Sequence, residues 1–332
     1  MLVVERRAAM VSMNATGIVN TMGLSLSLAL GWLALATVPV GTQAVVKNGG
    51  DTFVLTTLTL ADGRSAVADM RGTPIPLGDY RRIASLGIQS DALLVELCEP
   101  NRLACACAWS VGPWTHRLGS LPRLRALDDL ESIIALKPDL VLVSTFGGDL
   151  DRIARLREAG LTVCDLGPQG GVASLQANAR LLGRLLNEPR RAELFLTAFQ
   201  RRFAAVAAHL PAEPRRSAVY VQCIGDNLFG GSAGTSFHDV LTAAGLTDIS
   251  VPRYRAWPQY TVEQLIDLNP DFLVTQRGSA ERLRRLPGIA SMRAAQVAGG
   301  IIELDIELLQ CPGPVMLDAA EALHAAVFSG VR

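Results

Sequence analysis

Two glutamates in matching settings carry the first candidate chemistry. Glu131 stands in LESIIALKPDLVLV, Leu130 to Val143, and Glu263 in VEQLIDLNPDFLVT, Val262 to Thr275; the two segments align without a gap. Asp129 and Thr261 fall in register as helix N-caps, and Thr261 with Gln264 forms a capping box. Each glutamate therefore belongs in a first helical turn, where a carboxylate complements the helix dipole. Dipole complementation explains one such residue. The same carboxylate twice also suits a grip on arginines of a two-fold symmetric partner.

Aromatic residues supply the second candidate chemistry. Trp109 and Trp114 lie in AWSVGPWTH, Phe229 in NLFGGSAGTSF, and Tyr254, Trp257 and Tyr260 in or beside RAWPQYT. Such rings either pack their own loops or, gathered beyond the carboxyl ends of strands, clamp a large apolar-sided ligand. The four histidines, His116, His209, His238 and His324, are scattered, so neither a catalytic nor a metal cluster is expected. No GxSxG elbow or phosphate-binding loop occurs, and the glycines of GPQGG and FGGSAG lack dinucleotide-site spacing. With 31 basic against 31 acidic residues and no basic block, nucleic acid is not an expected partner.

The elements that must position these residues alternate. YRRIASLG, NRLACACA, PDLVLVST and LTVCDLG read as strands, and SDALLVELCE, LESIIALK and DRIARLREAG as helices. The same alternation returns in SAVYVQCI, TSFHDVLTAAG, TVEQLIDLN, PDFLVTQ, GGIIELD and PVMLDAAEALHAAV. Short apolar strands alternating with helices predict an α/β fold, here two lobes with mostly parallel sheets flanked by helices. Between them the chain is helical, broken at Glu188-Pro189; Leu194, Phe195, Ala198, Phe199, Phe203, Val206 and Leu210 mark one apolar face of a stiff connector. The expected division is a leader over 1–44, an introductory β-hairpin region over 45–80 turning at Asp62-Gly63, a first lobe over 81–187, a connecting helix over 188–210 and a second lobe over 211–332.

The leader reading rests on Arg6 and Arg7 ahead of GLSLSLALGWLALATVPVGTQA, an apolar run ending in small residues at Thr42 and Ala44. It is short for a membrane span, so export and cleavage near Ala44 are expected, with a start codon later than Met1 as a further expectation. Six cysteines, at 98, 105, 107, 164, 223 and 311, either pair in an oxidising compartment or serve as small buried hydrophobes.

RIASLGIQSDALLVELCEPNRLACACAWS, LESIIALKPDLVLV and LLQCPGPVMLDAAEALHAAV together resemble the substrate-binding proteins of ABC importers for vitamin B12, haem and iron-siderophores, over about 80–328. The resemblance implies a non-enzymatic periplasmic receptor, a monomer without a resident cofactor. It also implies a ligand between the lobes, a cobalt or iron chelate, at positions matching Trp109, Phe229 and Trp257. One glutamate per lobe, matching Glu131 and Glu263, would dock on an inner-membrane permease dimer. WPQ, Trp257 to Gln259, is as in the vitamin B12 receptors and favours a corrinoid. Haem, with Tyr254, Tyr260 or His116 as axial ligand, or a ferric siderophore is the alternative. An exported sensor or scaffold, or a metal-cluster enzyme on the same fold, is the alternative of another class. Asp91 stands where a glutamate is usual, and Cys311 and Val315 where many relatives carry arginine.

Overall fold

The computed structural model describes residues 41–48, 51–125, 127, 129–144, 150–168, 170–208, 216–309 and 313–328. The expected leader up to residue 40, together with His209, Leu210 and Cys311, lies outside them. The chain opens with an antiparallel four-stranded sheet: β1 (Gly41–Asn48), β2 (Asp51–Thr59), β3 (Ser65–Ala68) and β4 (Pro74–Pro76), paired in that order. Asp62 and Gly63 turn β2 into β3, Gly63 taking φ +82°. Thr42 and Ala44, at the expected leader end, lie within β1, so the sheet begins earlier than the hairpin region read from sequence.

The first lobe contains β5 (Ile83–Ser85), α1 (Ile88–Leu97), β6 (Leu103–Cys107), β7 (Arg123–Leu124), α2 (Leu130–Ala135), β8 (Leu140–Val143), α3 (Leu150–Glu158) and β9 (Val163–Asp165). Its strands run parallel in the order β7-β6-β5-β8-β9. All residues of β5, β8 and β9 are buried, as a parallel sheet covered on both faces requires. Ile83, Leu140 and Leu142 face α1, and Ala84, Val141 and Val143 face α2 and α3.

Two helices follow, α4 (Gly171–Leu185) and α5 (Pro189–Ala208). Asn187 turns between them in the left-handed region at φ 58°, and Pro189 opens α5 as expected. A Cβ at Gly183 would lie 2.6 Å from that of Ala192, so glycine permits this close approach of α4 to α5. The connector α5 belongs to both cores: Ala192, Leu196 and Phe199 pack in the first lobe, Val206 in the second, and Phe203 against both. The expected stripe is corrected at Leu194, which is 62% exposed, and at Ala198, also exposed; Ala192 and Leu196 take the buried positions. Polar ties join the ends, Arg191 to Glu99 at 3.0 Å and Arg202 to Glu321 at 2.7 Å and Asp318 at 2.5 Å.

The second lobe contains β10 (Ser217–Ile224), β11 (Asn227–Gly230), α6 (Ser236–Ala243), β12 (Thr247–Asp248), β13 (Gln259–Tyr260), α7 (Val262–Leu268) and β14 (Phe272–Gln276). After these come α8 (Ala280–Arg285), α9 (Arg293–Gln296), β15 (Ile301–Leu304), α10 (Ile306–Leu309) and α11 (Val315–Phe328). Its sheet is ordered β13-β11-β10-β14-β15, with β12 also on β10. The core is parallel, but β11 and β13 add antiparallel strands at one edge.

The echoed segments form equivalent corners, α2 to β8 and α7 to β14. Lys137 and Asn269 both take positive φ, 48° and 41°, directly before the proline. One residue later the aspartate binds the neighbouring strand: Asp139 accepts from the Arg82 amide at 3.0 Å, and Asp271 from the Ser217 amide at 2.8 Å. The Pro-Asp of each copy therefore stops a helix and pins the start of the adjacent strand, which accounts for that part of the repeat.

Candidate functional site

On the first lobe the exposed ring is Trp109, in the turn that follows β6; it is 55% exposed, and the Arg125 guanidinium carbon lies 5.7 Å from its ring centroid. That turn is fixed from beneath. Asp91, fully buried in the first turn of α1, accepts from the Cys107 amide at 2.8 Å and from Ser110 Oγ at 2.6 Å, bracketing Trp109. Burial, the largest influence, lifts its carboxyl to about 6 in spite of those hydrogen bonds.

The stability consequence of Asp91 has a definite sign. A carboxyl whose folded value lies above its unfolded value, about 3.9, favours the fold when protonated. Its contribution is complete below about pH 4 and is lost as pH rises through about 6. Asp91→Asn abolishes this titration. Denaturant melts of the two proteins should show the unfolding free-energy difference moving in favour of the variant by roughly 2–3 kcal/mol between pH 4 and pH 7. A difference independent of pH would show that Asp91 does not titrate in this range.

On the second lobe, Trp257 ends an aromatic ladder that starts in the core. Tyr220 of β10 stacks on Phe237 of α6 with centroids 3.6 Å apart and planes at 9°; Phe237 meets Trp257 edge-on at 5.2 Å. Glycine is needed alongside, because a Cβ at Gly231 would lie 2.5 Å from the Phe237 ring. The loop presenting Trp257 is tied to its neighbour by Ser232 N to Ala256 O at 2.9 Å and Ala256 N to Ala233 O at 3.0 Å. Trp257 is left 37% exposed. Phe229 on β11 is half-buried in register with Gln222 of β10 and Gln259 of β13, so the three side chains share one face of the sheet.

Four expected residues are placed elsewhere. Tyr260 is 4% exposed and pairs with Leu228, on the opposite face of the sheet from Phe229; Tyr254 packs edge-on against it at 5.1 Å. Tyr260 therefore belongs to the core and Tyr254, half-buried, packs against it rather than being presented as a clamp, and burial pushes the Tyr260 phenol up to about 12. Trp114 seats with Ile88, Ala92, Leu308 and Val315 at the junction of the lobes, and is a packing residue rather than a presented ring. His116 is exposed and bonds the Pro113 carbonyl through Nδ1. Val315 is itself buried in that junction, which explains an apolar side chain where arginine was expected from the resemblance.

Residues 83–305 match the family described as Periplasmic binding protein. The chain belongs to this family. Among curated relatives of this periplasmic binding protein, an uncharacterised ABC transporter substrate-binding lipoprotein of Bacillus subtilis is 21% identical over 60% of the chain and 65% of its own length. The vitamin B12-binding protein of Salmonella typhimurium is 27% identical over 47% of the chain and 58% of its own length. The chain thus spans about three-fifths of these two relatives. Among solved structures, a periplasmic heme-binding protein of Pseudomonas aeruginosa has TM-score 0.66 at 26% identity, covering 76% of this chain and 94% of that one. The vitamin B12-binding protein of Vibrio cholerae has TM-score 0.63 at 20% identity, covering 75% and 97%, and supports the fold alone.

In this periplasmic binding protein Glu131 and Glu263 are both exposed in the first turns of α2 and α7. Asp129 caps α2 through the Ser132 amide at 3.0 Å, and Thr261 with Gln264 makes the expected capping box on α7. The Glu263 carboxyl is held below its ordinary value by its own backbone amide and by the Thr261 side chain. The described cysteines, Cys98, Cys105, Cys107, Cys164 and Cys223, are free and buried, and burial pushes the Cys105 thiol up to about 12. Among the described residues no helix is long and apolar enough to cross a membrane, and no group of three or more metal-ligating side chains converges.

Sequence reasoning missed Phe237 and Gln222, and noted Asp91 only as a departure. Asp91 was detectable as an acid inside an apolar helix stretch, IQSDALLVEL. Phe237 gives no signal until α6 is packed on β10, and Gln222 none until the strands are registered.

Proposed function

We propose that this chain is a periplasmic receptor that captures a metal chelate, a corrinoid in the first instance, between its lobes and delivers it to an inner-membrane ABC permease. Trp109 and Trp257 are the gripping rings, with Phe229 forming apolar floor, and Glu131 and Glu263 are the docking carboxylates. The observation that carries this reading is the aromatic ladder ending in Trp257, because a core-anchored yet exposed indole beside a sheet edge is suited to lie against a flat ligand. The family and its vitamin B12-binding relatives support it. Haem is the second reading; the guanidinium of Arg125 against Trp109 suits a ligand carboxylate, and a heme-binding structure is among those similar to this one.

Titration of the protein with cyanocobalamin, haemin and ferric hydroxamate should quench tryptophan fluorescence with at least one of them. Trp109→Ala with Trp257→Ala should weaken that ligand at least about tenfold, since stacked aromatic contacts are worth roughly 1–3 kcal/mol each. No binding of any of the three by calorimetry would sink the receptor reading.

A further inference from the structure

The wall around Phe229 has a chemical character that reaches beyond apolar stacking. Register places Gln259, Phe229 and Gln222 side by side across β13, β11 and β10, and Gln222 Nε2 donates to Gln276 Oε1 of β14 at 3.1 Å. At the other side of Phe229, Gln259 Nε2 donates to Asn227 Oδ1 at 2.9 Å. Two carboxamide pairs thus flank one aromatic ring, and no charged side chain stands in that row. The row lies one pleat beyond Tyr220 and Val274, toward the carboxyl ends of β10 and β14, on the face that carries the Tyr220–Phe237–Trp257 ladder.

Each pair is already oriented by its internal hydrogen bond. Gln222 keeps its Oε1 and a second N–H, and Gln276 keeps its NH2, so the wall offers an acceptor and donors together. A primary amide of a ligand satisfies both. A carboxylate accepts from the donors but leaves the Gln222 oxygen desolvated without a partner, which is the costly outcome when a site is covered.

Resting on the receptor function proposed above, we infer that Gln222 and Gln276 are specificity-determining residues that select a flat apolar ring fringed with neutral primary amides over one fringed with carboxylates. Gln276→Glu is the sharpest probe: its oxygen still accepts from Gln222, while the free NH2 becomes a charged oxygen. Gln222→Leu with Gln276→Leu removes both groups, and if that variant does not fold the near-isosteric Gln276→Glu decides alone.

Calorimetric titrations would use cyanocobalamin, whose ring bears primary amides, cobyrinic acid, the corrinoid with carboxylates in their place, and haemin. The wild-type protein should bind cyanocobalamin at least about tenfold more tightly than cobyrinic acid. Gln276→Glu should lose roughly 10- to 100-fold in cyanocobalamin affinity, the worth of one hydrogen bond to a desolvated partner, and should weaken haemin and cobyrinic acid as well, because the new carboxylate meets theirs. Wild-type preference for haemin or cobyrinic acid, or unchanged cyanocobalamin affinity in Gln276→Glu, would overturn the inference while leaving a chelate receptor standing. Failure of the wild type to bind any of these or ferric hydroxamate would overturn the receptor reading and this inference with it.

Discussion

Phe237→Ala should destabilise the protein by roughly 3–5 kcal/mol, the cost of deleting a buried phenylalanine whose surroundings relax only partly. The ring is 7% exposed and held on two sides, by the Tyr220 ring at 3.6 Å and by the loop at Gly231, so little can move in to fill the space. Its loss also removes the edge-on support of Trp257. Chemical denaturation at neutral pH should therefore show a much lower midpoint with an unchanged slope. Phe237→Leu separates the two consequences. Leucine fills most of the volume and should cost less than half as much stability, but it supplies no aromatic edge. If Phe237 acts by holding Trp257, Phe237→Leu should still weaken chelate binding several-fold. If it acts only as core, that variant should bind as the wild type does.

The same residues show what could be read from the sequence and what could not. The two-lobed α/β arrangement was legible because short apolar strands and Pro-terminated helices repeat in order, and because the Pro-Asp pair recurs at Asp139 and Asp271, which the structure places in equivalent corners. The connector was legible in its length and less so in phase: Leu194 and Leu196 are both apolar but two residues apart, on opposite sides of one turn, and only packing against α4 and α1 decides that Leu196 is inside. Strand β13 has two residues and β11 four, too few for alternation to register. The face on which each aromatic of RAWPQYT points depends on that pairing. A one-residue difference in register would exchange Gln259 and Tyr260 between the faces, which is why Tyr254 and Tyr260 were grouped with Trp257 although the sheet separates them. Glycine spacing gave a similar partial signal: FGGSAG reads as a loop, but its requirement is steric, Gly230 lying against Tyr260 and Gly231 against Phe237.

Reversing Glu131 and Glu263 together, as Glu131→Lys with Glu263→Lys, should abolish transport while leaving ligand capture intact. Both carboxylates are exposed, neither is among the ion pairs of the described residues, and both point from short helices whose buried sides, Ile133 and Leu265, are untouched by the change. Helix capping survives as well, because Asp129 and Thr261 do that work through their own side chains. On the proposed reading, these paired, matching negative charges on separate lobes meet arginines of the partner. Lysine then faces like charge at both contacts, which opposes docking at each. Ligand uptake measured in cells lacking the native copy should fall at least about a hundredfold in the double variant, with each single reversal intermediate. The purified double variant should match the wild type in chelate affinity and nearly match it in melting temperature. Wild-type uptake by the double variant would leave the two glutamates as helix-dipole partners alone, whereas lost uptake restored by compensating charge reversal in the permease would place them at the contact.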